Sequence, residues 1–255
     1  MIEKQKYVSY NICKIYWFME EIRMETFANY ILAEKDSLKK MEIVYYMRNK
    51  ENIFFNKTVV LKMELAKMFI ETMGIDNVDK NVLLTACLLY SCKKTDSAQE
   101  LEKIRAYAKE SAEYLETLGF SEEICRICKA HNRYEDIMPR PIESDILELV
   151  DQFGGMILNR PERIGLKVDE AICLLENRNL KGKHNVWLEK FKEFVEKSEE
   201  ILVEYRLRAG QSISILQLLA NEINTSGSTI EAIYRISVIR EAVINKKYNI
   251  DNKEE

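Results

Sequence analysis

Glycine and proline are scarce in this chain, at eight and three of 255 residues. Glycine frees the backbone for turns and proline stops helices, so their shortage leaves few forced breaks. Charge of one sign is lacking too. Lys and Arg total 38 against 42 Asp and Glu, and the two signs are interleaved, for a net charge of −4. No broad positive field exists to hold nucleic acid or an anionic membrane surface. The acidic residues form no tail beyond the short Asp251–Glu255 end. Long apolar runs are also missing. The longest, Val82 to Cys92, is far too short to span a bilayer and is interrupted by Thr85 and Ser91. The polar start, Met-Ile-Glu-Lys-Gln-Lys, reads as no secretory leader. Six cysteines (Cys13, Cys87, Cys92, Cys125, Cys128 and Cys173) lie mostly within apolar helical patterns. They are expected to be reduced thiols in a cytoplasmic protein.

What remains is 47% hydrophobic and 31% charged residues, the balance of a globular chain. Leu, Ile, Glu, Lys, Met and Ala dominate, and the expected class is all-α. Apolar clusters at Tyr7–Phe18, Phe27–Leu32 and Met41–Met47 predict short helices in residues 1–50. Val59, Val60, Met63, Ala66, Phe69 and Met73 recur at helical spacing up to a stop at Gly74. Further helices are predicted over Asp79–Tyr90, Ala98–Leu118, Ser121–Tyr134, Ile142–Leu158 and Val168–Glu176. A basic turn at Asn177–Lys183 then leads to a long amphipathic helix, Trp187–Tyr205. Ser214–Ile223 and Thr229–Ile244 complete the set, joined by Thr225-Ser-Gly-Ser228. Three parts follow: an N-terminal module (1–50), a core (51–205) and a C-terminal helical tail (206–255).

The stretch Ile146-Leu-Glu-Leu-Val-Asp151-Gln-Phe-Gly-Gly-Met-Ile-Leu-Asn-Arg160-Pro161-Glu-Arg163 resembles the segment closing the active site of HD-GYP proteins. These are a branch of the HD phosphohydrolases that hydrolyse cyclic dinucleotides on a metal cluster. The resemblance spans about residues 54–205. It implies an HD-domain-like helical bundle with additional N- and C-terminal helices. It also places the family's ligand positions, and most have changed. Asn56 stands where the first His is expected. Leu88-Leu89-Tyr90-Ser91-Cys92-Lys93-Lys94 matches Leu-Leu-His-Asp-Ile-Gly-Lys, so Tyr90-Ser91 replaces His-Asp and Lys94 survives. Tyr107 replaces a further His in Ile104-Arg-Ala-Tyr107. The paired His residues become Ala130-His131, and the late Asp is kept as Asp151.

A hydrolytic metal pair needs several imidazole and carboxylate donors converging on one cavity. Asn56 and Ser91 are weak neutral donors, Ala130 is none, and only His131 and Asp151 remain. The expected function is therefore a non-catalytic HD-GYP-like regulatory or scaffolding protein in bacterial-type signalling, with no cofactor. Two alternatives stand beside it. One is a residual phosphohydrolase using a divalent transition metal such as manganese or iron. The other is a nucleotide-binding sensor without hydrolysis, with Lys94 and Arg133 as phosphate contacts. Tyr90 and Tyr107 could ligate ferric iron as phenolates or fill the vacated cavity as packed rings. His131 and Asp151 could form an acid–base pair or a hydrogen-bonded core. Cys125-x-x-Cys128-x-x-His131 suggests zinc but lacks a second ligand pair. Arg160 and Arg163 read as structural. The expected partner is a protein or a second copy, met through amphipathic helices such as Trp187–Tyr205.

Overall fold

The computed structural model describes residues 27–51, 53–94, 101–131, 137–179, 185–204 and 212–244, with side chains of 101–105, 179 and 204 not described. Helices dominate these residues: α1 (Phe27–Ala33), α2 (Ser37–Glu51), α3 (Thr58–Thr72), α4 (Lys80–Leu89), α5 (Leu101–Thr117), α6 (Glu122–Ala130), α7 (Ile142–Ile157), α8 (Val168–Asn179), α9 (Leu188–Glu199), α10 (Ile215–Thr225) and α11 (Thr229–Ile239). A π-helical turn, Arg240–Ile244, extends α11. No described helix is long and apolar enough to cross a membrane. The expectation over Tyr7–Phe18 lies outside the described residues.

Local chemistry sets the helix ends. Asp79 caps α4, its carboxylate accepting from Val82 N at 2.9 Å. Ser214 and Ser228 cap α10 and α11 in the same way, at 3.2 and 3.1 Å. Gly74 and Gly119 follow α3 and α5 with φ of 56° and 84°, the left-handed backbone at which glycine ends a helix.

α3 is the central rod. It packs against α4 and α7, and also meets α9, α10 and α11. Val59, Val60, Leu61, Met63, Leu65, Ala66, Met68 and Phe69 are all buried, so its apolar residues wrap most of its circumference. Phe69 lies 5.2 Å from Phe191 and 5.4 Å from Phe194, and Phe153 of α7 lies 5.5 Å from Phe191. Phe191 and Phe194 of the amphipathic stripe are thus buried in the chain's own core. α2 is wedged between α4 and α11, with Lys40 fully buried. Lys40 Nζ donates to Ile31 O at 2.5 Å and Thr85 Oγ1 at 3.0 Å, and burial pushes its pKa down to about 8.

Two sequence expectations are corrected here. The Trp187–Tyr205 helix stops at Glu199, and Leu202–Glu204 instead forms a strand, β1, antiparallel to β2 (Ser212–Ser214). Ile215 N donates to Ile201 O at 2.9 Å, so pairing to the C-terminal segment takes the backbone bonds that helix continuation would have used. The bundle therefore carries a two-stranded ribbon. α8 also runs past the expected end at Glu176 to Asn179, so the first residues of the expected basic turn are helical.

The segment after α7 is fixed by Arg163. Its guanidinium donates to Gly155 O at 2.7 Å and Met156 O at 2.9 Å, satisfying carbonyls at the helix end. Gly165 folds back so closely that a Cβ there would lie 2.2 Å from Ile157 O. Gly165→Ala should destabilise the protein by about 3 kcal/mol in denaturant unfolding, through displaced backbone. Gly227→Ala, whose new Cβ would meet only Glu231 Oε2 at 3.4 Å, should stay within about 0.5 kcal/mol of wild type.

Candidate functional site

Five elements bring polar side chains to one place. α3 supplies Lys62, the end of α4 supplies Tyr90, α5 supplies Tyr107, the end of α6 supplies His131, and α7 supplies Asp151. Lys62 Nζ donates to Asp151 Oδ1 at 2.6 Å and to Tyr90 Oη at 2.8 Å. Tyr90 Oη–H in turn donates to the same Oδ1 at 2.5 Å. The three groups close a triangle around one carboxylate oxygen. The Lys62 side chain is 8% exposed and that of Asp151 20%, so the pair is only partly open to water.

A second pair lies beside it. His131 Nδ1 is 2.7 Å from Cys128 O, and since a carbonyl can only accept, that nitrogen carries the proton. Nε2 is then the acceptor, and Tyr107 Oη–H donates to it at 3.1 Å. The Tyr90 ring stands edge-on to the imidazole at 4.6 Å, joining the two pairs by packing. Arg140 holds the backbone here: it donates to His131 O at 3.2 Å and pairs with Asp145 and Glu148 of α7.

The electrostatics follow from this geometry. Burial would raise the Asp151 pKa, but the Lys62 ammonium, helped by Lys94, holds the carboxyl well below the usual carboxylate range. Burial, reinforced by the Asp151 charge, pushes both Tyr90 and Tyr107 well above the ordinary phenol value. Phenolate ligation of iron would have to overcome that shift as well. Burial lowers the His131 pKa to about 4, so the imidazole is neutral at physiological pH.

The sequence-predicted positions fare as follows. Tyr90, Tyr107, His131 and Asp151 are brought together. His131 and Asp151 do not bond each other; each is bonded by a tyrosine hydroxyl. Asn56 lies two residues before α3, its Oδ1 accepting from Thr58 N at 3.0 Å. Ser91 and Ala130 are buried, and Ser91 O accepts from Lys94 N at 2.9 Å. Lys94 Nζ lies 5.1 Å from the Tyr107 ring centroid, with burial lowering its pKa. Arg133 and His184 lie outside the described residues. Arg160 is exposed near Glu162, and its backbone pairs with that of Arg163. Cys128 is buried with its thiol pushed up, and Cys125 Sγ faces Phe120 O at 3.9 Å. Among the described residues, no three His, Cys, Asp or Glu side chains converge in a way that could hold a metal ion.

Lys62 was not singled out from the sequence. Its signal was available: a lysine within Val59-Val-Leu-Lys62-Met-Glu64-Leu-Ala66, a run otherwise apolar around most of the helix. Arg140 carries no such signal, standing between Pro139 and Pro141.

Compared with protein-family models, curated proteins and solved structures, the chain matches none.

The His131 geometry has a pH consequence. The folded-state pKa lies near 4 and the unfolded value near 6.5, so the unfolded chain binds a proton first on acidification. The stability contributed by neutral His131 is full above about 6.5 and is lost as pH falls toward 4. Urea unfolding of wild type and His131→Gln across this window should show a shallower pH slope for the variant. Parallel slopes would mean that His131 titrates alike in both states.

Proposed function

We propose that this protein is a non-catalytic, HD-GYP-like domain of HD-domain bundle type, serving as a regulatory or scaffolding module in bacterial-type signalling. The observation that carries the reading is the engagement of both surviving donors by side chains of the chain itself. Asp151 Oδ1 accepts from Lys62 and Tyr90, and His131 Nε2 accepts from Tyr107. A water-activating metal centre requires those lone pairs and several more anionic or imidazole donors. The remaining positions offer Asn56, Ser91 and Ala130, none of which supplies charge.

A second reading, a nucleotide sensor without hydrolysis, draws support from Lys94. Among the described residues its ammonium pairs with no carboxylate and lies over the Tyr107 ring, a place from which it could meet a phosphate. Binding of a cyclic dinucleotide that is lost in Lys94→Ala would favour this sensor over a pure scaffold.

Elemental analysis separates the enzyme from both. Protein purified without chelator, and protein loaded with manganese or iron, should retain well under one metal per chain and leave cyclic dinucleotides intact. One or more tightly held transition metals per chain, together with turnover, would return the phosphohydrolase to first place.

A further inference from the structure

The part of the cluster that no ligand-position argument anticipates is the cation at its centre. Lys62 Nζ contacts Asp151 Oδ1 at 2.6 Å and Tyr90 Oη at 2.8 Å, so it meets a carboxylate and a phenol oxygen together. That combination suits an alkylammonium, a monovalent cation with three directed N–H donors, better than a divalent ion that needs several anionic ligands. A divalent transition metal would find one carboxylate and otherwise neutral or occupied donors, and the set does not fit it.

The path of the lysine stem is also provided for. Gly154 lies inside α7, where glycine is unfavourable by roughly 0.5–1 kcal/mol relative to alanine. A Cβ at that position would lie 3.2 Å from Lys62 Cγ and 3.4 Å from Leu65 Cδ1. The missing methyl therefore gives the lysine stem its clearance between α3 and α7.

We propose that Lys62 is a built-in cation: its ammonium takes the place of a bound metal ion, in a pocket formed by Asp151, Tyr90 and the open face of Gly154 that is specific for an alkylammonium group. This rests on the non-catalytic reading above and deepens it, because the site then needs no exogenous ion to hold its helices together. Lys62 is a positioning residue in this scheme. It keeps α3, α4 and α7 joined at one carboxylate.

Chemical rescue tests it. Lys62→Ala removes the stem and ammonium that propylammonium reproduces, and leaves the Asp151 charge without its partner. Its thermal midpoint should fall by about 10 °C, the scale on which breaking a partly buried pair is felt in a chain of this size. Propylammonium chloride should raise the variant's midpoint saturably and leave wild type unmoved, as linkage to a vacant site requires. Equal concentrations of 1-propanol, or manganese, should not reproduce the gain. If Lys62→Ala fails to fold alone, refolding in propylammonium should recover its near-ultraviolet circular dichroism. The double variant Lys62→Met/Asp151→Asn, which removes both charges, should fold without the amine.

An unchanged midpoint on truncation would overturn the proposal. So would stabilisation by manganese beyond that by the amine, or equal amine stabilisation of wild type. The two readings fail separately. Metal tightly bound to wild type sinks the non-catalytic function, whereas metal-free wild type with an amine-indifferent Lys62→Ala sinks only the built-in cation.

Discussion

A carboxylate drawn into a helical bundle has to keep company with positive charge or donors, because its own hydration has been stripped away. Asp151 is that carboxylate. Lys62 reaches it from α3, Tyr90 from the end of α4, and Asp151 itself stands on α7, so one oxygen ties three helices. The rest of the cluster is arranged around this fact. The Tyr90 ring packs on His131, Tyr107 and the Cys128 carbonyl orient the imidazole that burial keeps neutral, and Arg140 anchors His131 O to α7 through Asp145 and Glu148. Each polar group finds its partner inside the protein, which is the condition under which a buried network stiffens a core.

The same arrangement is hard to reconcile with water activation. General acid–base work asks for a proton acceptor poised near neutral pH, and burial has moved His131 far from that range. Metal assistance asks for free lone pairs on anionic donors, and the one carboxylate among the cluster's described residues already faces an ammonium at 2.6 Å. The chemistry of the cluster is cohesive: its hydrogen bonds and ion pair join helices to one another.

Much of the helical frame was readable in the sequence because periodicity and punctuation agreed. Gly74, Asp79, Gly119, Ser121 and Ser228 each mark a boundary by a local mechanism that needs no tertiary context. The stretch after Glu199 departs from the helical reading: apolar residues there continue a helical pattern, while the strand depends on a partner segment eight to twelve residues further on. Local signals cannot report such pairing. In the site, Tyr90, Tyr107, His131 and Asp151 lie far apart in the sequence, and only the fold brings their side chains together. Lys62 lies outside the positions that the resemblance names, because those are metal-donor positions and a lysine ammonium has no lone pair to offer. A charged residue inside an otherwise apolar helix was the available clue. The clue applies twice, since Glu64 is buried as well and pairs with Arg240.

Lys62 and Glu64 also fix α3 about its own axis. Two residues apart on a helix, they point about 200° from one another, one toward α7 and the other toward the turn that follows α11. Inserting or deleting a single residue in this helix would swing one anchor about 100° away from its counter-charge, so the length of α3 between Lys62 and Glu64 is not free to drift. The rod is pinned against rolling. A mechanical signal crossing the bundle must pass through it as tilt or axial slide, and twist is the one motion these two ion pairs withhold.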